Sequence, residues 1–251
     1  MNLAVITNSN FSPFAYQIII SLIKNNINLN LILCVRNKIS DLKNIKKQFR
    51  AYGLKCLLNK IIKKLSSSEG DYFGMPDAKE SIIKLAKKQG IPYKYISSCN
   101  CNKSLKLIKR YNVKFLINSG GGIFGEKIIN VPGLKIINGH MGLLPKYRGI
   151  QVLEWSYLLN DEIGATIHFI DKGIDTGPIL MRKIFIPKQS HSIVDLRSQG
   201  FIFVANLLVE TIKKMLLSNS IVAVTQEKNT GLIWYTMHNK FKKLLENKLN
   251  S

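Results

Sequence analysis

The first half of the chain alternates short, largely apolar runs with longer stretches of helical period, and this rhythm restricts the fold more than any other feature. Residues 3–7 (Leu-Ala-Val-Ile-Thr) and 29–35 are apolar runs of strand length, interrupted only by Asn30 and closed by Thr7. That character belongs to strands covered on both faces, as in a parallel sheet. A helical pattern over 15–24 separates them. A further helix is predicted from Asp77 to about Lys88, closed by Gly90 and Pro92. A strand at 93–96, a helix at 103–110 and a strand at 113–118 follow. The βαβ order predicts an α/β fold built on an open, mostly parallel, doubly wound sheet. Its active residues should lie beyond the carboxyl ends of the strands.

The rhythm continues with a strand at 134–137, a helix near 153–159 and a strand-like run at 164–171. After 188 it changes. A long amphipathic helix is predicted over 192–217, a short strand over 221–224, a turn at Asn229-Thr-Gly231 and a basic helix over 237–249. These features divide the chain into a main domain, 1–188, and a small, largely helical C-terminal extension, 189–251. Between Lys64 and Met75 the sequence is rich in turn formers without a period, which reads as a loop, either connector or lid.

With 251 residues the chain is long enough to bury a full core. Its net charge of +22 could draw nucleic acid, anionic lipid or phosphorylated small molecules. The lysines are nevertheless scattered, with no basic block interleaved with aromatics, so they read as solvated helix faces and nucleic acid is not the favoured partner. No secretory signal or membrane span is recognisable, so a cytoplasmic protein without a membrane partner is expected. Cys34 and Cys56 lie in or beside apolar runs, and Cys99-Asn-Cys101 is too closely spaced and isolated for a tetrahedral zinc site, so no metal is expected.

Two segments carry the chemistry. Asn138-Gly-His140-Met-Gly-Leu-Leu-Pro-Lys-Tyr-Arg148-Gly149 follows a strand, and Asp171-Lys-Gly173-Ile-Asp175-Thr-Gly177-Pro178 follows the next. Strand alternation puts Asn138 and His140 on one side. An amide can donate to a developing oxyanion, an imidazole can take a proton from an amine, and a carboxylate can orient and stabilise that imidazole. Such a set suits transfer of an acyl-level carbon to an amine without metal or covalent nucleophile. His168 reads as a core residue or one that supports the site from behind. His191 and His238 have no recognisable partners. The Asp171–Gly177 spacing resembles a calcium loop, but the closing Glu is missing. Gly120-Gly-Gly122-Ile-Phe-Gly125 matches G-x-G-x-x-G only formally. It follows a late strand, and no acidic residue stands about twenty positions on.

The two segments resemble the signature of the folate-dependent formyltransferases, a family that includes glycinamide ribonucleotide, methionyl-tRNA and sugar-nucleotide N-formyltransferases. Asn-x-His, Leu-Leu-Pro, Tyr-Arg-Gly and Asp-x-Gly-x-Asp-x-Gly-Pro occur in the family's order, over roughly 116–182. The resemblance implies 10-formyltetrahydrofolate as co-substrate and Asn138, His140 and Asp175 as the catalytic set. It places the folate against Gly122, Ile123 and Phe124 and the loop Asp171, Lys172, Gly173 and Ile174. Where the family often has Pro-Ser after the histidine, this chain has Met141-Gly142. Arg148 is a candidate for a substrate phosphate or carboxylate, or for a structural hydrogen bond.

The departure is greatest at Thr7-Asn-Ser-Asn10-Phe-Ser12. Purine-pathway members hold a ribose phosphate there on a Gly-rich turn, and Asn and Ser replace those glycines, with Asn10 left as a substrate-binding candidate. The C-terminal piece is too short for the β-barrel that methionyl-tRNA members use for tRNA. The expected acceptor is therefore a nucleotide-linked amino sugar. A methionyl-tRNA enzyme lacking the extra domain and a non-catalytic folate-binding relative are the alternatives, and a homodimer is left open.

Overall fold

The computed structural model describes residues 2–35, 78, 80–218, 222–227 and 230–250. The expected loop between Lys64 and Met75, and Cys56, lie outside them. Strand β1 (Leu3–Thr7) enters helix α1 (Pro13–Lys24), whose start is fixed by Ser12: its hydroxyl accepts the Ala15 N–H, and Pro13 occupies the first turn. Strand β2 (Leu31–Val35), helix α2 (Ile82–Lys88), β3 (Tyr93–Ile96), α3 (Asn102–Arg110) and β4 (Phe115–Ser119) follow. Then come α4 (Glu126–Ile129), β5 (Lys135–His140), β6 (Tyr147–Gly149), α5 (Val152–Leu158), β7 (Gly164–Phe169) and β8 (Ile179–Ile184). Helix α6 (Ile193–Leu217), β9 (Leu232–Trp234) and α7 (Asn239–Leu249) complete the order.

Seven strands form one sheet in the order β3-β2-β1-β4-β5-β7-β8. The five strands from β3 to β5 are parallel, as expected, while at one side β7 pairs antiparallel with β5 and β8 antiparallel with β7. Side chains of β1 alternate between the two faces. Leu3 and Val5 join α1, α2 and α6 in one core, and Ala4 and Ile6 join α3 and α4 in the other. Helix α6 starts one residue later than expected, capped by Ser192. Its Phe201 ring meets Phe14 of α1 at 4.9 Å between centroids, and Val204, Leu208 and Ile212 are sealed beneath it. Each such side chain contributes about 1.5–3 kcal/mol on burial. The expected boundary at 188 thus falls between β8 and a helix that shares the core of the main sheet.

The C-terminal segment differs from its expected form. Of the short strand expected at 221–224, Val224 makes an isolated antiparallel bridge to Ile179. Strand β9 pairs in parallel with β6, and neither was expected from the sequence. Trp234 stacks on Tyr147 (5.6 Å between centroids) and lies against Trp155 (5.0 Å). Beneath α7, Leu245 and Leu249 pack with Leu153 and Leu196. Among the described residues no helix is long and apolar enough to cross a membrane.

Candidate active site

The two segments converge at the carboxyl ends of β4 and β5. Asn118 and Asn138 are register partners on these neighbouring strands, and Asn118 Nδ2 donates to Asn138 Oδ1 at 3.0 Å. Asn118 Oδ1 accepts the Gly121 N–H at 2.8 Å, which ties the start of the glycine loop to the same amide. With its oxygen engaged, Asn138 turns Nδ2 toward Nε2 of His168, its cross-strand partner on β7, at 3.1 Å.

His140 is buried on the same strand. Its Nε2 lies 2.6 Å from the Tyr147 carbonyl, which can only accept, so this nitrogen carries a hydrogen. Nδ1 faces Asp175 Oδ2 at 3.6 Å. Burial pushes the imidazole below its ordinary pKa, and His168 adds to that, while Asp175 and the Tyr147 carbonyl oppose it. Gly142 makes this placement sterically feasible: a β-carbon there would stand 2.9 Å from His140 Nε2 and 2.8 Å from a Val152 methyl.

Asp175 lies between the two imidazoles. Oδ1 is 3.5 Å from His168 Nε2, and Oδ2 accepts the Gly149 N–H at 2.8 Å. Burial alone would raise its pKa, but His140, His168 and the Gly149 N–H together bring it down to about 2. The carboxylate is therefore ionised throughout the physiological range. Its loop is shaped by Asp171, whose Oδ1 accepts from Gly173 N at 3.0 Å and Thr176 Oγ1 at 2.6 Å.

A cavity of about 190 Å³ opens beside these groups. Asn118, Asn138, His168 and Asp175 give it a polar floor, and the loops holding Gly122–Phe124 and Asp171–Ile174 form its walls. Ile123 is 89% exposed and Ile174 54%, so each wall offers apolar surface. Asn100 braces the first wall, donating to Ile123 O at 2.8 Å and accepting from Gly125 N at 2.7 Å. Lys172 reaches Glu126 at 2.7 Å and links the walls.

Of the residues singled out in the sequence, Asn138, Asp175, Gly122, Ile123, Phe124, Asp171, Lys172, Gly173 and Ile174 border one cavity. His140 stands behind it, reached through Asp175. Arg148 is buried, and its Nη2 donates to Gln226 Oε1 at 3.4 Å. Asn10 does not border the cavity: its Oδ1 accepts from Ile83 N at 2.8 Å and Tyr93 OH at 3.3 Å. Sequence reasoning missed Asn118 and Gln226. Asn118 left a signal, an amide closing an apolar parallel strand. Gln226 left none.

The sequence model of the family described as Formyl transferase matches residues 1–212. A methionyl-tRNA formyltransferase of Thermodesulfovibrio yellowstonii is 32% identical over 156 residues, covering 61% of this chain and 49% of that protein. The chain thus spans about half the length of the curated relatives it matches. Among solved structures, a phosphoribosylglycinamide formyltransferase from Bacillus halodurans superposes with a TM-score of 0.60 at 18% identity, covering 88% of this chain and 99% of that one. An N-formyltransferase from Helicobacter canadensis, in complex with folinic acid and dTDP-3-aminofucose, gives 0.59 at 17% identity, covering 100% of this chain and 80% of that one. At these identities the likeness is one of fold.

Proposed function

Because the chain belongs to the formyl transferase family, we propose that it moves a formyl group from 10-formyltetrahydrofolate to a primary amine, and that the amine belongs to a nucleotide-linked amino sugar. The observation that carries formyl transfer is the convergence of Asn138 and Asp175 on an apolar-walled cavity, with His140 behind Asp175. The cavity fits a flat heterocycle: glycine lets the ring approach the backbone, and Ile123 and Ile174 cover its faces. The bound folate supplies a formyl carbon on an aryl amine, a leaving group that departs readily once protonated.

The acceptor amine attacks that carbon, and negative charge gathers on the formyl oxygen. Asn138 Nδ2 carries two hydrogens and can direct one to this oxygen, an interaction worth about 2.7–4 kcal/mol in comparable sites. As the amine adds it must lose a proton. Asp175 borders the cavity, and the basic nitrogen of His140, Nδ1, lies behind it. The proton passes by way of the carboxylate to Nδ1, where Asp175 and the Tyr147 carbonyl stabilise the imidazolium, and it returns by the same way to the donor's aryl nitrogen, which departs as the amine while the C=O re-forms and the formyl group stays on the acceptor.

The loop after β1 supports a sugar rather than a terminal phosphate as the acceptor's anchor. Thr7 Oγ1 donates to Ser9 O at 3.1 Å, and Phe11 N donates to Ser9 Oγ at 3.0 Å, so the loop closes on its own polar groups. Incubation with 10-formyltetrahydrofolate and a nucleotide-linked amino sugar, read by mass spectrometry, should show one formyl group gained at the amine. Formylation of methionyl-tRNA with amino sugars ignored would replace the acceptor. Folate binding with no transfer to either would leave a non-catalytic relative.

A further inference from the structure

Gln226 lies beyond the residues that match the family, yet it reaches the centre of the site. Its side chain is buried, with Nε2 donating to the Asp175 carbonyl at 3.0 Å and to the Gly177 carbonyl at 2.7 Å. Oε1 accepts from Arg148, and the next residue, Gly149, gives its N–H to the Asp175 carboxylate. One amide therefore holds the backbone behind the carboxylate and also the strand that holds the carboxylate's oxygen. Val224, two residues earlier, exchanges two 2.8 Å hydrogen bonds with Ile179, so Gln226 is delivered from a segment fastened to the main sheet.

The loop has reason to need this hold. Asp175 has φ of +52°, in the left-handed region that residues with a β-carbon disfavour. Such a conformation persists only where surrounding contacts enforce it. Two carbonyls pointing inward at 175 and 177 would also be unsatisfied without a buried donor. A glutamine satisfies both with one amide nitrogen, which neither a glutamate nor a hydrocarbon of the same length could do.

We propose that Gln226 is a positioning residue, which sets the Asp175 carboxylate against His140 and so couples the C-terminal segment to proton transfer. The proposal builds on formyl transfer as the reaction. Gln226→Met keeps length and volume while removing the donors. It should lower kcat roughly 10-fold or more with KM for the formyl donor little changed, and should move the acid limb of the pH–rate curve. Gln226→Ala, in which water can enter, provides a second variant should the thioether impair folding. It should show the same shift to a smaller degree.

A readout that does not depend on turnover separates the two ideas. In histidine-detected NMR titrations of the full chain, the His140 resonance in Gln226→Met should titrate about half a unit or more lower, as its carboxylate partner is displaced. Wild-type kcat, pH profile and His140 titration in both variants would overturn the positioning role even if formyl transfer holds. If no formyl transfer is found in the wild type, a shifted His140 titration still supports the link from Gln226 to Asp175, and an unshifted one removes it.

Discussion

Asp175 Oδ2 accepts the Gly149 backbone N–H at 2.8 Å while standing 3.6 Å from His140 Nδ1. The carboxylate is thus oriented by a backbone group outside its own loop, and the imidazole beside it meets a charge already fixed in direction. Asp175→Asn keeps nearly the same shape but presents no such charge. It should fold normally and lose on the order of 10²-fold or more in kcat. Because Asp175 raises the His140 pKa, its removal should also move the acid limb of activity to lower pH. An unchanged pH–rate curve would confine Asp175 to loop geometry.

In the wild type the direction of the His140 shift sets the acid limb. Burial holds its pKa below the ordinary 6.5, so the neutral base persists under mildly acidic conditions and activity should fall only below about pH 6.5. The linkage to stability has the same sense. The unfolded chain binds a proton at this residue before the folded one does, so its stabilising contribution is present above the unfolded pKa and fades as pH drops through the folded pKa. Paired kcat/KM and urea-unfolding measurements across pH 5–8 check both; an acid limb above pH 7 would contradict them.

Most of this architecture was legible in the sequence, and the reason is local. Residues 3–6 and 31–35 are apolar throughout because both sheet faces are covered there, and Ser12-Pro13 marks a helix start by short-range geometry. The Asn138/His140 pair followed from strand alternation, and the Asp175 loop from family resemblance. The parts that went unread depend on distant partners. Tyr147–Gly149 is a strand only because Leu232–Trp234 pairs with it, and nothing in those three residues carries a strand period. Gln226 has one polar residue's worth of signal in a segment without periodicity, so its role emerges only when its amide is seen between two carbonyls.

A buried ion pair joins α5 to α6. Arg197 Nε bonds Glu154 Oε1, with both side chains almost fully enclosed and Glu154 Oε2 without a partner among the described residues. Arg197→Met should leave an uncompensated buried carboxylate and cost about 3–5 kcal/mol in chemical denaturation. The double variant Arg197→Met/Glu154→Leu should recover most of that. Equal losses in single and double variants would show that packing, rather than charge, dominates at this contact.

Gly231 precedes β9 with φ of +76°, and a β-carbon there would fall 1.6 Å from the Pro145 carbonyl oxygen. Gly231→Ala should therefore displace β9 from β6 and lower stability by more than about 1 kcal/mol. Weaker tryptophan burial should accompany it, because Trp234 leaves Tyr147 and Trp155. Unaltered fluorescence and melting temperature would mean that the loop around 145 yields without cost.

The pairing of β6 with β9 has a consequence for the order in which the molecule can be completed. Strand β6 ends at Gly149, whose N–H holds the Asp175 carboxylate, and its sheet partner among the described residues is formed some 85 positions later at Leu232–Trp234. On a chain emerging from its N-terminus, the parallel strands and their helices can associate while the groups around the carboxylate still lack their final neighbours. The surroundings of the carboxylate are thus completed only once Leu232–Trp234 is available, after the strands of the parallel sheet.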